Sequence, residues 1–207
     1  MKRTRIMKMR RSLLIILFLL ATYSVAHEQE QPGASIQPDN LFPMVEMQTS
    51  AGKIKVELDR LKAPITTNNF LYYVSNKSYD GTIFHRVEKD FVVQGGGYNE
   101  KFKEREKIEP IFNESGNGLK NEAFTIAMAR ESDPHSAMRQ FYFNLADNEG
   151  LDPGKSWGYT VFGIVSEGEE VLELIGGTPT HVDATFDWEN VPVKPILINK
   201  ILVLKQQ

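Results

Sequence analysis

The sequence predicts a mainly β fold: a closed, eight-stranded antiparallel barrel capped by two α-helices. Three observations lead there. Short runs with alternating apolar residues recur from Met44 to Leu204 and group as hairpins. Two stretches, Pro64 to Ser78 and Ser166 to Ile175, carry apolar residues at helical spacing. Strands and helices do not alternate one for one, which argues against a parallel doubly wound sheet. Eight antiparallel strands can close into a barrel that its own side chains fill.

The first 26 residues stand apart. Six basic residues (Lys2, Arg3, Arg5, Lys8, Arg10, Arg11) precede an apolar run from Leu13 to Leu20, and Ser24-Val25-Ala26 supplies small residues at its first and third positions. This is the layout of a signal peptide over residues 1–26. The apolar run is short for a membrane span, which takes about 20 residues. Left uncleaved, the segment would be the chain's one membrane attachment. Residues 27–43 are polar with Gln, Pro and Gly and read as a flexible leader to a domain over 44–207. Without residues 1–26 the chain carries 18 Lys and Arg against 27 Asp and Glu, a net charge near −9. That suits a soluble exported protein and argues against nucleic acid, whose phosphates need a basic face. There is no Cys, so disulfides, thiol catalysis and a lipid-modified N-terminal Cys are excluded.

Met44–Thr49 and Gly52–Asp59 are the first two strands, joined at Ser50-Ala51-Gly52. Pro64 opens a helix at its first turn, with Phe70, Leu71 and Val74 on its apolar stripe, and Tyr79-Asp80-Gly81 ends it. Thr82 to Tyr98 supplies strands three and four around a tight acidic turn. Within it His85, Arg86 and Gln94 sit among Ile83, Phe84, Val87, Phe91, Val92 and Val93; polar groups there are costly to bury unless they find partners. Asn99 to Asn121 is a long polar loop, a length that is usually functional or mobile. Phe124–Ala129, Phe141–Leu145 and Thr160–Val165 are strands five to seven. Ser166 and Glu169 form a capping box for a second helix whose buried side is Val171, Leu172, Leu174 and Ile175, with Gly176-Gly177 as its stop. A proline-bearing loop (Pro179, Pro192, Pro195) leads to the last strand, Ile196–Leu204.

The familiar chemistries find no foothold. The four His residues have no metal-ligand spacing, Gly95-Gly96-Gly97 lacks the spacing of a phosphate loop, and no Ser sits in a nucleophile elbow. The glycine run reads as a bulge or tight corner at the barrel rim. What remains is a guanidinium, an amide, an imidazole and many apolar side chains. This set suits a reaction that needs shape, dryness and a hydrogen bond, with no metal or cofactor.

Four runs then carry a family resemblance: Phe84-His85-Arg86-Val87 with Phe91-Val92-Val93-Gln94-Gly95-Gly96, Ile126-Ala127-Met128-Ala129-Arg130, Gln140-Phe141-Tyr142-Phe143-Asn144, and Gly158-Tyr159-Thr160-Val161-Phe162-Gly163. Together, in this order over about residues 44–204, they resemble the cyclophilin family of peptidyl-prolyl cis–trans isomerases, in the loop style of its bacterial periplasmic branch. The resemblance implies the barrel already derived, X–Pro rotation in exported polypeptides, a periplasmic location, a monomer, and proline-bearing unfolded or exported chains as partners. It implies Arg86, Gln94 and Phe91 as the catalytic set, with Arg86 donating to the prolyl amide and Gln94 orienting it. The proline pocket would be Phe91, Val92, Tyr142 and Leu151. Ala129 and Arg130 would offer backbone groups, with Gln140 nearby, His85 at the edge, and Tyr159 where other branches carry a histidine. His85 is read as binding or structural, because no proton needs moving. Tyr142 replaces the usual phenylalanine, and its hydroxyl needs a partner or water. Val92 is shorter than the frequent methionine. Gly150 stands where eukaryotic relatives carry tryptophan and removes an apolar wall. The competing reading is a non-catalytic chaperone or binding module for proline-bearing segments.

Overall fold

The computed structural model describes residues 31–206; the segment read as a signal peptide, 1–26, and residues 27–30 of the expected leader lie outside the described residues. Among the described residues no helix is long and apolar enough to cross a membrane.

The strands are β1 (Met44–Thr49), β2 (Lys53–Leu58), β3 (Thr82–Glu88), β4 (Val92–Asn99), β5 (Thr125–Met128), β6 (Phe141–Asn144), β7 (Val161–Glu167), β8 (Thr180–Asp183), β9 (Trp188–Pro192) and β10 (Ile196–Val203). Eight of them close a barrel in the order β1-β10-β3-β4-β6-β5-β7-β2, each pair antiparallel. The predicted barrel is therefore the observed one. Its inward positions follow period two: Val45 and Met47, Ile54, Val56 and Leu58, Ile126 and Met128, and Phe141 and Phe143 all lie in one core.

Helix α1 (Pro64–Ser75) plugs one end through Phe70, whose ring packs on Tyr79, Phe141 and Phe162 at 5.1–5.5 Å. Its open N-terminus is closed from the long loop. The Glu114 carboxylate accepts from the Ile65 N–H at 3.1 Å, the Thr66 N–H at 2.8 Å and the Thr66 hydroxyl at 2.7 Å. The helix ends at Ser75, three residues earlier than expected, because Lys77 turns left-handed at φ 54° and delivers Tyr79 into the core.

Helix α2 (Glu169–Gly176) covers the barrel with Val171, Leu172 and Ile175. Two expectations fail here. Ser166 is not a cap: β7 runs on to Glu167, which pairs with Lys55 in register and by an ion pair at 2.8 Å, and Gly168 precedes the helix at φ 94°. Leu174 is 65% exposed, since the short helix presents only one narrow stripe to the barrel.

The proline-bearing loop expected after α2 is a second sheet, the hairpin β8–β9. Aromatic packing fixes it against the barrel: Trp188 meets Tyr98 at 4.8 Å and His85 at 5.9 Å, while Phe186 meets Phe102 at 5.5 Å. Residues 31–43, read as a flexible leader, make turns against the domain. Buried Arg60 donates to the carbonyls of Ile36 (2.7 Å), Gln37 and Asn40 (2.9 Å), and the Gln37 amide donates to the Leu204 carbonyl.

The feature that positions the site is a bulge in β3. Phe84 opposes Gly95, yet Arg86 opposes Gln94, so two steps on β3 match one on β4. His85 is the extra residue. Phe84 and Val87, three apart, both point into the core, which turns His85 and Arg86 together to the outer face. Gly95 permits this approach, because a Cβ there would lie 2.7 Å from the Phe84 ring and 2.9 Å from the Ile83 carbonyl oxygen.

Candidate active site

The outward positions of five adjacent strands form a single cross-strand row. Arg86 of β3 opposes Gln94 of β4, Gln94 opposes Tyr142 of β6, Tyr142 opposes Ala127 of β5, and Ala127 opposes Val161 of β7. The row is polar at one end and apolar at the other. Val92, Ala127, Tyr142 and Val161 form a small cluster separate from the core, with Phe91, Leu119, Ala129, Leu151 and Tyr159 packed on it. Phe91, Val92, Tyr142 and Leu151, expected as pocket residues, therefore share one patch.

At the polar end, Arg86 is held from three directions. It pairs with Glu88, donates through Nη1 to Gln94 Oε1 at 3.4 Å, and lies 5.6 Å from the centre of the Phe91 ring. Gln94 is oriented in turn, since its Nε2 donates to Gln140 Oε1 at 3.0 Å. Gln140 lies against Gly97, where a Cβ would come within 2.7 Å of its side chain. The three expected catalytic residues and Gln140 are thus in one contiguous arrangement.

The Tyr142 hydroxyl finds a partner: it donates to Asn121 Oδ1 at 2.8 Å. Asn121 is fixed by Asp152, which accepts from its backbone N–H (2.9 Å) and its side-chain amide (3.0 Å). Burial, reinforced by the neighbouring Tyr159, pushes the Tyr142 phenol far up, so it is a neutral donor at any working pH.

Tyr159 stacks edge-on to Tyr142 at 5.9 Å and lies under the Arg130 guanidinium at 4.5 Å. The Arg130 side chain is occupied by the carbonyls of Trp157, Gly158 and Glu131, so it clamps the loop that carries Tyr159. The Ala129 N–H is committed to the Gln140 carbonyl at 2.9 Å, which leaves its carbonyl as the backbone group on offer. Gly150, next in sequence to the patch residue Leu151, has nothing within 4 Å of where a Cβ would stand.

His85 is apart from the apolar patch. It lies on the other side of Arg86, under Trp188 and Tyr98, 7% exposed, with Nδ1 unpartnered. Burial, with a smaller contribution from Arg86, lowers its pKa to about 4, so the ring is neutral. Sequence reasoning missed Glu88, Leu119, Ala127, Asn121 and Val161. Ala127 and Val161 could have been found, because they alternate with inward Ile126, Met128 and Phe162. Leu119 and Asn121 belong to the long loop, which has no periodicity to read. Among the described residues no three His, Asp or Glu side chains gather as a metal site.

The geometry is that of a closed eight-stranded barrel with a guanidinium–amide pair beside an apolar patch on its outer wall, and comparison with known proteins gives its family. Residues 44–203 match the family described as cyclophilin type peptidyl-prolyl cis-trans isomerase/CLD. The peptidyl-prolyl cis-trans isomerase cyp18 of Streptomyces antibioticus is 46% identical over 164 residues, covering 77% of this chain and 98% of its own. Peptidyl-prolyl cis-trans isomerase B of Escherichia coli K12 is 42% identical over 164 residues, covering 77% and 99%. A crystal structure of a Cryptosporidium parvum cyclophilin type isomerase shares the fold with a TM-score of 0.66 at 24% identity, over 80% of this chain and 99% of that one. A second structure of that protein, determined in the presence of the dipeptide Ala-Pro, has a TM-score of 0.65 at 25% identity, over 79% of this chain and 99% of its own. The chain belongs to the cyclophilin-type peptidyl-prolyl cis–trans isomerases.

Proposed function

We propose that this isomerase speeds rotation about X–Pro bonds in exported polypeptides in the periplasm, acting as a monomer, with Arg86 as the group that favours the twisted amide. The observation that carries the reading is the row from Arg86 and Gln94 to the Tyr142 patch: a fixed cationic donor beside an apolar seat for a proline ring.

Amide resonance sets a rotation barrier of about 18–20 kcal/mol, and unaided X–Pro exchange takes tens to hundreds of seconds. A hydrogen bond to the prolyl nitrogen draws its lone pair out of the carbonyl and removes that resonance. Glu88 engages Nη2 and Gln94 engages Nη1. A guanidinium has five N–H donors, so others remain for the substrate. Such a charge-assisted bond is worth about 1.5–3 kcal/mol, while enzymes generally lower barriers by about 8 kcal/mol or more. The remainder comes from preorganisation and exclusion of water: Phe91, Tyr142 and Leu151 hold the ring while the preceding carbonyl turns.

The test is an isomerisation assay on an X–Pro peptide with wild-type protein and Arg86→Ala. The expected fall in kcat/KM is about 10- to 150-fold, the loss of one charge-assisted bond. An unchanged rate would overturn the role of Arg86. No acceleration by wild-type protein, with retained binding of proline peptides, would favour the non-catalytic chaperone, a reading to which the missing side chain at Gly150 lends support. Export is tested by fractionating cells that express the full chain and sequencing the N-terminus of the mature protein; cytoplasmic recovery would refute it.

A further inference from the structure

The hairpin β8–β9 was not anticipated and makes no contribution to the row. Together with Arg86, Gln94 and Gln140 it encloses a groove of about 540 Å³ on the side of Arg86 away from the apolar patch. Asp187, Trp188, Glu189 and Asn190 form its far wall. The groove is acidic. Arg86 is its one Lys or Arg, and that charge is already paired with Glu88, so Asp187 and Glu189 are left uncompensated. Both are exposed, and among the described residues neither makes an ion pair.

Two further features of the lining suit a cation. His85 lines the groove, is more than nine-tenths buried, and has no partner for Nδ1. Being neutral, it does not oppose a cation. Trp188 lines the groove, and an aromatic ring is a surface on which a guanidinium or ammonium settles well. The packing of Trp188 on Tyr98, His85 and Phe186 fixes the wall before any ligand arrives, which reduces the ordering cost of binding.

We infer that this groove is a second substrate subsite that selects a lysine or arginine side chain flanking the proline, with Asp187 and Glu189 as its specificity-determining residues and Trp188 as its platform. The inference rests on the isomerase reading of the adjacent row. A peptide whose proline sits on the Tyr142 patch must cross Arg86, so a neighbouring residue on one side falls into the groove. Positive side chains gain there and negative ones are repelled.

The experiment compares kcat/KM for proline peptides carrying Lys, Ala or Glu at each of the two residues on either side of the proline. For wild-type protein the Lys-to-Glu ratio is expected to reach about tenfold at one of these positions at low salt, and to shrink at 0.5 M NaCl because exposed pairs are screened. In Asp187→Asn/Glu189→Gln the ratio falls towards one. Asn tolerates the left-handed turn that Asp187 occupies at φ 55°. In Asp187→Lys the preference inverts, a readout that misfolding cannot mimic. Turnover of the Ala peptide with a Lys-to-Glu ratio near one at all four positions overturns the inference and leaves the isomerase reading standing. A wild-type ratio that survives in both variants overturns it equally. No turnover of any peptide defeats the isomerase reading first.

Discussion

The floor of the patch rests on one hydroxyl bond that crosses from β6 to the long loop, and its worth can be measured. Tyr142→Phe keeps the ring and removes the donor. Asn121 Oδ1 then retains only the Asn144 amide, at 3.3 Å. The bond is neutral and buried, so its loss costs about 1 kcal/mol. Asn121→Ala does more. It strands the Tyr142 hydroxyl, 4% exposed as a residue, and removes the side-chain donor to Asp152. That substitution costs about 2–4 kcal/mol. The double variant should cost less than the sum of the two by about 1 kcal/mol, because the second change removes a group already orphaned by the first. Urea unfolding of the four proteins, with m held in common, gives the coupling. The same four proteins assayed on an X–Pro peptide should show Tyr142→Phe within about threefold of wild type, since the apolar face is intact. A coupling below about 0.3 kcal/mol would refute the reasoning, because the hydroxyl would then be satisfied by water.

Three other outcomes follow from the geometry. Gly95→Ala places a Cβ against the Ile83 carbonyl oxygen and the Phe84 ring, neither of which can yield easily; it should lose about 1–3 kcal/mol in urea unfolding, and wild-type stability would mean that the β3 bulge relaxes freely. His85 titrates at about 4 in the folded chain and near 6.5 when unfolded. Between those values the unfolded chain takes a proton that the folded one refuses. Stability is therefore full above pH 6.5 and falls as the pH drops, by about 3 kcal/mol once below pH 4. His85→Asn should flatten that part of the pH profile, and an unaltered slope would assign it to other groups. Arg60→Ala removes the donors that hold the Ile36, Gln37 and Asn40 carbonyls; amide hydrogen exchange at Ala34, Ile36 and Asn40 should quicken relative to β1, and unchanged protection there would show that the turns stand without Arg60.

Much of the molecule was legible in local pattern. Period two marked β1 and β2 cleanly, short apolar runs bounded by turn residues marked the other barrel strands, and helical spacing marked both helices, because burial on one face imposes those periods directly on the chain. The four motifs nominated Arg86, Phe91, Gln94, Gln140 and Tyr142, which the structure brings together. The hairpin β8–β9 was missed because its strands are four and five residues long, bury only Val191 and Pro192, and are held by aromatic contacts from Tyr98, His85 and Phe102. Leu174 and Ser166 were misread because a helix stripe and a capping pair look alike whether or not the preceding strand runs on to Glu167.

The sequence by itself determined where the eight barrel strands and two helices lie, since each depends on side chains within a few positions of one another, and its four motifs nominated the site residues through their family resemblance. Tertiary structure alone decided where Arg86 points. In an unbroken strand Phe84 and Arg86 would share a face; the bulge at His85, allowed by Gly95 on the facing strand, sends one inward and the other out. It alone also supplied Asn121 to Tyr142 and set an acidic wall beside Arg86. Those partners lie tens of residues away along the chain, and only closure of the barrel brings them within hydrogen-bonding or groove distance.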